Sequence, residues 1–182
     1  YAIKTGEVGI AWIPADGASL ANLLITGGAG FIGSHTALVL LEAGHELVVL
    51  DSYANSSPEA LRRVAELAGP EAATRLQVIE GDIRSEQDLN QAFTASSALG
   101  GKPADAVIHF AGLKAVGESV AEPLRYWDVN LSGSRQLVGA MQAHGCRTLV
   151  FSSSATLYGY PKTVPIPETA AIAPINPYGH SK

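Results

Sequence analysis

The chain has few of the features that mark secreted, membrane or nucleic-acid-binding proteins. Cysteine occurs once, at Cys146, so no internal disulfide can form and a reducing compartment, the cytoplasm, is the expected setting. Charged residues make up only 16% of the chain and sum to −5, which excludes the broad basic surface that nucleic acid requires. No apolar run approaches a membrane span, and no signal-like segment precedes the first strand, so neither insertion nor secretion is expected. An initiating methionine is also missing. The chain opens at Tyr1 and stops at Lys182, inside the first turns of an expected helix, and reads as part of a longer enzyme. What is present is a 47% hydrophobic composition over 182 residues, enough for one packed domain. Residues 1–21 follow neither the helical nor the strand period and read as a poorly ordered extension; residues 22–182 read as the domain.

From Asn22 onward, short apolar runs alternate with helical patterns. Strands are predicted at Asn22–Thr26, Leu47–Leu50, Leu76–Ile79, Ala106–Phe110 and Thr148–Ser152. Helices are predicted over Phe31–Ala43, stopped by Gly44, and from Pro58 behind the cap Ser57 to the stop Gly69-Pro70. A third starts at the capping-box string Ser85-Glu86-Gln87-Asp88 and runs through Phe93, and a long one spans Pro123–His144, weakened at Gly133. Pro161, Pro165, Pro167, Pro174 and Pro177 make the following stretch a loop. The alternation predicts an α/β fold, a doubly wound parallel sheet of the Rossmann type.

The most informative string is Thr26-Gly27-Gly28-Ala29-Gly30-Phe31-Ile32-Gly33, which follows a strand and opens a helix. Gly27 and Gly28 are read as permitting a sharp turn, Gly30 as admitting a phosphate to the backbone, and Gly33 as letting the helix pack on the sheet. Asp51, at the end of the second strand, is placed to accept hydrogen bonds from a ribose. It would repel a 2′-phosphate, and the turn has no Arg or Lys to attract one, so NAD is favoured over NADP. Asp82 after the third strand is placed at the adenine edge, against the alternative of a solvated strand-end carboxylate. Phe110-Ala111-Gly112 bring backbone close to the nicotinamide side. Lys114 is either a cation reaching ribose or phosphate or a plain surface lysine.

Tyr178 and Lys182 are spaced to share a helix face, so that an ammonium can favour the ionised phenol. With the hydroxyls of Ser152-Ser153-Ser154 at the end of the fifth strand, they form a device for taking a proton from a carbinol while its hydride leaves. Ser154 is assigned to hold the substrate oxygen. The five histidines, His35, His45, His109, His144 and His180, lie on different elements with no metal-ligand spacing, and no metal is expected.

These strings, together with His109-Phe110-Ala111-Gly112-Leu113-Lys114-Ala115-Val116-Gly117-Glu118-Ser119 and Phe151 to Gly159, resemble the extended short-chain dehydrogenase/reductase family and, within it, the nucleotide-sugar 4-epimerases. The resemblance runs from Asn22 to Lys182. It implies tightly held NAD contacted by Phe31, Ile32, Asp51, Asn55, Ser56, Asp82, Ile83, Phe110, Ala111, Gly112, Lys114, Asn130 and Ser152. Ser154, Tyr178 and Lys182 would act at its nicotinamide end. It further implies interconversion of UDP-glucose and UDP-galactose through a transient 4-keto sugar, a homodimeric parent enzyme, and a substrate domain beyond residue 182 without which the chain is inactive. Ser52 departs from the family's frequent Asn beside the ribose-binding acid. Dehydration is disfavoured because Ala155 and Thr156 stand where a dehydratase needs its acid and base. Epimerisation of UDP-GlcNAc or UDP-glucuronate, or a non-catalytic NAD-binding module, remain as alternatives.

Overall fold

A computed structural model describes residues 20–182, so most of the extension assigned to residues 1–21 lies outside the described residues. Five parallel strands, β1 (Asn22–Thr26), β2 (Glu46–Asp51), β3 (Leu76–Glu80), β4 (Ala106–His109) and β5 (Leu149–Phe151), form one sheet in the order β3-β2-β1-β4-β5. The pairing register sets Leu23 beside Leu47 and Ala106, and Thr26 beside Leu50 and His109.

Successive strand residues point to opposite faces, and both faces are covered. Leu23, Ile25, Leu47 and Val49 face α1 (Phe31–Glu42) and α2 (Pro58–Ala68), packing on Ala37, Leu40, Leu41, Leu61 and Val64. Leu24, Val48 and Leu50 face the other way, onto Leu89 and Phe93 of α4 (Glu86–Gly100) and Leu137 and Met141 of α7 (Gly133–Ala143). These leucines are fully buried, each contributing about 2 kcal/mol of transfer free energy. The chain lays β2 and β3 on one side of β1 and β4 and β5 on the other. Neighbouring loops therefore part between β1 and β4, opening a crevice at the carboxyl ends of the strands.

Several elements differ from the sequence reading. The helix α4 continues to Gly100 instead of ending at Phe93, because Ser96 and Ser97 are satisfied within it. Ser96 donates to Asn22 Oδ1 (2.8 Å) and Ser97 to the Phe93 carbonyl (3.1 Å). Its capping box is half formed: Ser85 Oγ accepts from Asp88 N–H, but the Asp88 carboxylate accepts from Asp82 N–H. A short helix, α3 (Pro70–Ala73), follows the expected stop, and α5 (Val116–Ala121) occupies a stretch left unassigned. The long helix exists but in three parts: α6 (Pro123–Tyr126), a π-helical turn over Trp127–Ser132, and α7. Strand β4 stops one residue earlier than expected, and β5 is shorter by one residue at each end.

Candidate active site

A cleft of about 410 Å³ opens over the crevice between β1 and β4. Its walls include Gly27, Gly30, Phe31, Ile32, Gly33, Asp51, Asn55, Asp82, Ile83, Phe110, Ala111, Gly112, Lys114, Ser152, Tyr178 and Lys182, all singled out from sequence.

The glycines divide their work differently from the reading above. Gly27 makes the turn, with φ of +72° and only 2.4 Å between a would-be Cβ and Ala111 N. Gly28 has no positive φ; a Cβ there would strike Val49 Cγ1 at 2.6 Å, so its smallness serves packing on the sheet. Gly33 packs on the turn itself: a Cβ there would lie 2.4 Å from the Gly27 carbonyl oxygen. Gly30 alone faces space: its nearest neighbour would be 3.4 Å away. It also opens α1, which has no side-chain cap, whereas α2, α4 and the one-turn α8 (Pro177–His180) are capped by Ser57, Ser85 and Asn176. Uncapped N–H groups at a helix start, behind a residue that admits close approach, suit a diphosphate.

Asp51 is buried, and its carboxylate is already in use. It accepts from Ala29 N–H (2.8 Å), Tyr53 N–H (2.9 Å) and Ser56 Oγ–H (2.8 Å), pinning the glycine turn to the following loop. Two carboxylate oxygens offer about four acceptor sites, so capacity for a ribose hydroxyl remains. Ser56 is not in the wall; its hydroxyl supports Asp51. Asp82 is gripped by Arg84 (2.6 Å), which holds its carboxyl below the usual range, and Arg84 reaches across to Asp128 (2.6 Å).

At the other end, Tyr178 is buried beside Leu113 and Tyr126, whose ring meets it edge-on at 6.3 Å. Tyr126 is fixed in turn. Its hydroxyl lies 2.8 Å from the Ala115 carbonyl and 2.7 Å from Glu118, and burial with that carboxylate lifts its pKa to about 12. Lys182 lies past the end of α8, where the sequence reading had a continuing helix. Its ammonium donates to the Ser152 carbonyl (3.2 Å) and sits 5.3 Å from the centre of the Phe151 ring, while burial lowers its pKa.

Besides Ser56, two expected site residues turn away from the cleft. Ser154 is not in its wall; its Oγ accepts from the Thr156 N–H (3.3 Å) and hydroxyl (2.9 Å), capping a 3₁₀ turn over Ala155–Tyr158, and Ser153 lines the cleft instead. Asn130 is buried with its amide engaged: it accepts from Leu113 N–H (2.8 Å) and donates to the Leu113 carbonyl (3.0 Å) and Ser181 Oγ (2.9 Å). It braces the wall from behind. Arg125 and Val129, to which the sequence gives no role, also line the cleft, as do Arg84 and Leu113. Arg84 and Arg125 were recognisable only as charged residues until the fold brought them to the rim.

A protein-family model described as GDP-mannose 4,6 dehydratase matches residues 24–182. UDP-glucose 4-epimerase 3 of Oryza sativa subsp. japonica is 50% identical over 162 residues, covering 89% of this chain and 42% of its own length. A bifunctional UDP-glucose 4-epimerase and UDP-xylose 4-epimerase 3 of Arabidopsis thaliana is 48% identical, covering 88% and 44%. Among solved structures, UDP-glucose-4-epimerase from Stenotrophomonas maltophila, with bound NAD and formylated UDP-arabinopyranose, superposes with a TM-score of 0.80 at 42% identity, covering 89% of this chain and 45% of that one. The Bifidobacterium longum enzyme in complex with NAD+ and UDP gives 0.77 at 44% identity, covering 88% and 45%. The chain thus spans less than half the length of these relatives.

Proposed function

Given that the chain belongs to the family described as GDP-mannose 4,6 dehydratase, we propose that it is the NAD-binding part of a UDP-sugar 4-epimerase that interconverts UDP-glucose and UDP-galactose. The observation that carries this reading is the convergence of an uncapped helix start at Gly30, a ribose-side carboxylate at Asp51 and the Tyr178–Lys182 pair on one cleft.

The residues fit a dinucleotide. The turn from Gly27 to Gly33 would hold the diphosphate, Asp51 the adenosine ribose, and the Asp82–Ile83 segment the adenine. Phe110, Ala111, Gly112, Lys114 and Ser152 would flank the nicotinamide half. Bound NAD supplies an acceptor for hydride from the sugar C4 and a donor for its return. Tyr178 accepts the C4 hydroxyl proton at its phenolic oxygen and returns it after the sugar turns over. The Lys182 ammonium, held by the Ser152 carbonyl, lines the same cleft as Tyr178. Ser153 lines the cleft and is at hand to steady the sugar oxygen; Ser154 could take that role only by releasing Thr156 and turning into the cleft. Burial around Tyr178 excludes water from the exchange.

Epimerisation is favoured over the dehydration that names the family, because Ala155 and Thr156 offer no acid and base beside the serines to expel water. The sugar itself is gripped by residues outside this cleft. The 182 residues alone are therefore expected to give no turnover, and UDP-GlcNAc or UDP-glucuronate are the competing substrates. We further propose a homodimer, supported by the exposed apolar stripe of Leu124, Trp127, Leu131 and Val138. Incubating the full-length enzyme with UDP-galactose and no added cofactor tests the reading. It predicts UDP-glucose as product and stoichiometric NAD released on denaturation; protein free of NAD, or conversion of another UDP-sugar alone, would contradict it.

A further inference from the structure

His109 is a buried ionisable group behind the cleft, and the mechanism above does not use it. It closes β4 with 1% of its surface exposed, and both ring nitrogens are engaged. Nδ1 lies 2.6 Å from Thr26 Oγ1, on the residue that precedes the glycine turn, and Nε2 lies 2.9 Å from Ser134 Oγ. Ser134 Oγ also bonds the Asn130 carbonyl, which can only accept. The serine proton therefore points at Asn130, Nε2 carries the ring proton, and Nδ1 accepts from the Thr26 hydroxyl. One directed chain of hydrogen bonds results.

The chain does not stop at Asn130. That residue sits in the π-helical turn, whose wider spacing carries its amide inward while Leu131 stays exposed. Its amide holds both polar groups of Leu113 and donates to Ser181 Oγ, which donates to the Tyr178 carbonyl (2.8 Å). Ser181 immediately precedes Lys182, and a Cβ added at Gly112 would lie 2.9 Å from Asn130 Oδ1 and 3.1 Å from Lys182 Nζ. The strand carrying the glycine turn is thus tied, without a gap, to the segment carrying the reacting pair.

We propose that Thr26, His109 and Ser134 are positioning residues that fix the π-turn so that Asn130 and Ser181 hold the segment carrying Tyr178 and Lys182 against the cleft. The inference rests on the reading of Tyr178 as proton acceptor. A side chain that only filled the core would need no ordered donor sequence ending at the backbone of Asn130, whose side chain holds Leu113 and Ser181.

The test uses the full-length enzyme and compares Ser134→Ala, Ser134→Thr and a matched control, Ser96→Ala. Ser96 is likewise hydrogen-bonded and more deeply buried than Ser134, but it lies in α4, away from the cleft, bonded to Asn22 at the start of β1. Tyr126, itself bonded to Glu118, meets the Tyr178 ring edge-on; Lys182 lines the same cleft, and its charge reaches His109. Ser134→Ala should lower kcat about tenfold at unchanged KM and move the acid limb of the kcat profile up by about half a pH unit. Ser134→Thr should restore both, and Ser96→Ala should lower stability without moving the limb. Bound NAD per subunit should stay near wild type in all three. Should Ser134→Ala fail to fold, Ser134→Cys carries the same comparison. An acid limb that superposes on wild type in the Ser134 variant, while Tyr178→Phe is inactive, would overturn the positioning role and leave the function intact. A fully active Tyr178→Phe would instead overturn the reading beneath it.

Discussion

At the scale of single residues, position in the fold decides what an ionisable group can do. His109 is buried, and desolvation, with the Lys182 charge behind it, lowers its pKa from 6.5 to about 4. The unfolded chain therefore binds a proton between those values that the folded protein refuses, so stability falls as pH drops from about 6.5 towards 4. Unfolding by urea should show His109 contributing about 2 kcal/mol of lost stability at pH 5 relative to pH 7. His109→Gln should flatten that slope; an unchanged slope would show that the imidazole is not the group titrating. Tyr178, Lys182, Asp51 and the glycines could be found in the sequence because each rests on a spacing or on a residue type that the backbone demands. Asn130, Ser154 and Ser56 stand out in the sequence through the family resemblance, but their orientation is not legible there. A π-helical turn, a 3₁₀ cap and a carboxylate–hydroxyl bond turn them away from the cleft, and none of these leaves a periodic mark.

Among the elements, the glycine turn and its helix behave as one rigid part. Gly33→Ala would place a methyl 2.4 Å from the Gly27 carbonyl and 2.7 Å from Gly28 Cα, both backbone atoms that cannot step aside. We expect a loss of at least about 2 kcal/mol in stability together with loss of bound NAD, measured by denaturation and by cofactor content. Gly139 in α7 is the opposite case, exposed with nothing within 4 Å of a Cβ. Gly139→Ala should stabilise by about 0.5–1 kcal/mol and leave activity alone, visible as a raised Tm. Strand and helix order was legible because apolar runs and stop residues recur at the expected lengths. The errors fall where tertiary contacts override local preference: the Asn22 amide extends α4 past its polar residues, and Asn130 and Ser134 accommodate the π turn.

For the whole molecule, the described residues form a covered parallel sheet with exposed apolar side chains along one helical side. Leu124, Leu131 and Val138 are 81, 52 and 50% exposed along α6, the π turn and α7, a continuous apolar face that water does not favour. If it joins two subunits, Leu131→Glu in the full-length enzyme should shift the sedimentation profile from dimer to monomer, whereas an unshifted dimer would place the interface elsewhere. The parallel sheet and its crevice were readable as a class from the alternation of elements, while the rim formed by Arg84 and Arg125 was not, since it depends on which loops the topology brings together. The account finally depends on whether Tyr178 is the proton acceptor over bound NAD. Tyr178→Phe in the full-length enzyme keeps the ring packed on Tyr126 and removes only the hydroxyl. It should retain wild-type NAD content and lose at least about a hundredfold in turnover of UDP-galactose; full activity in that variant would contradict the mechanism.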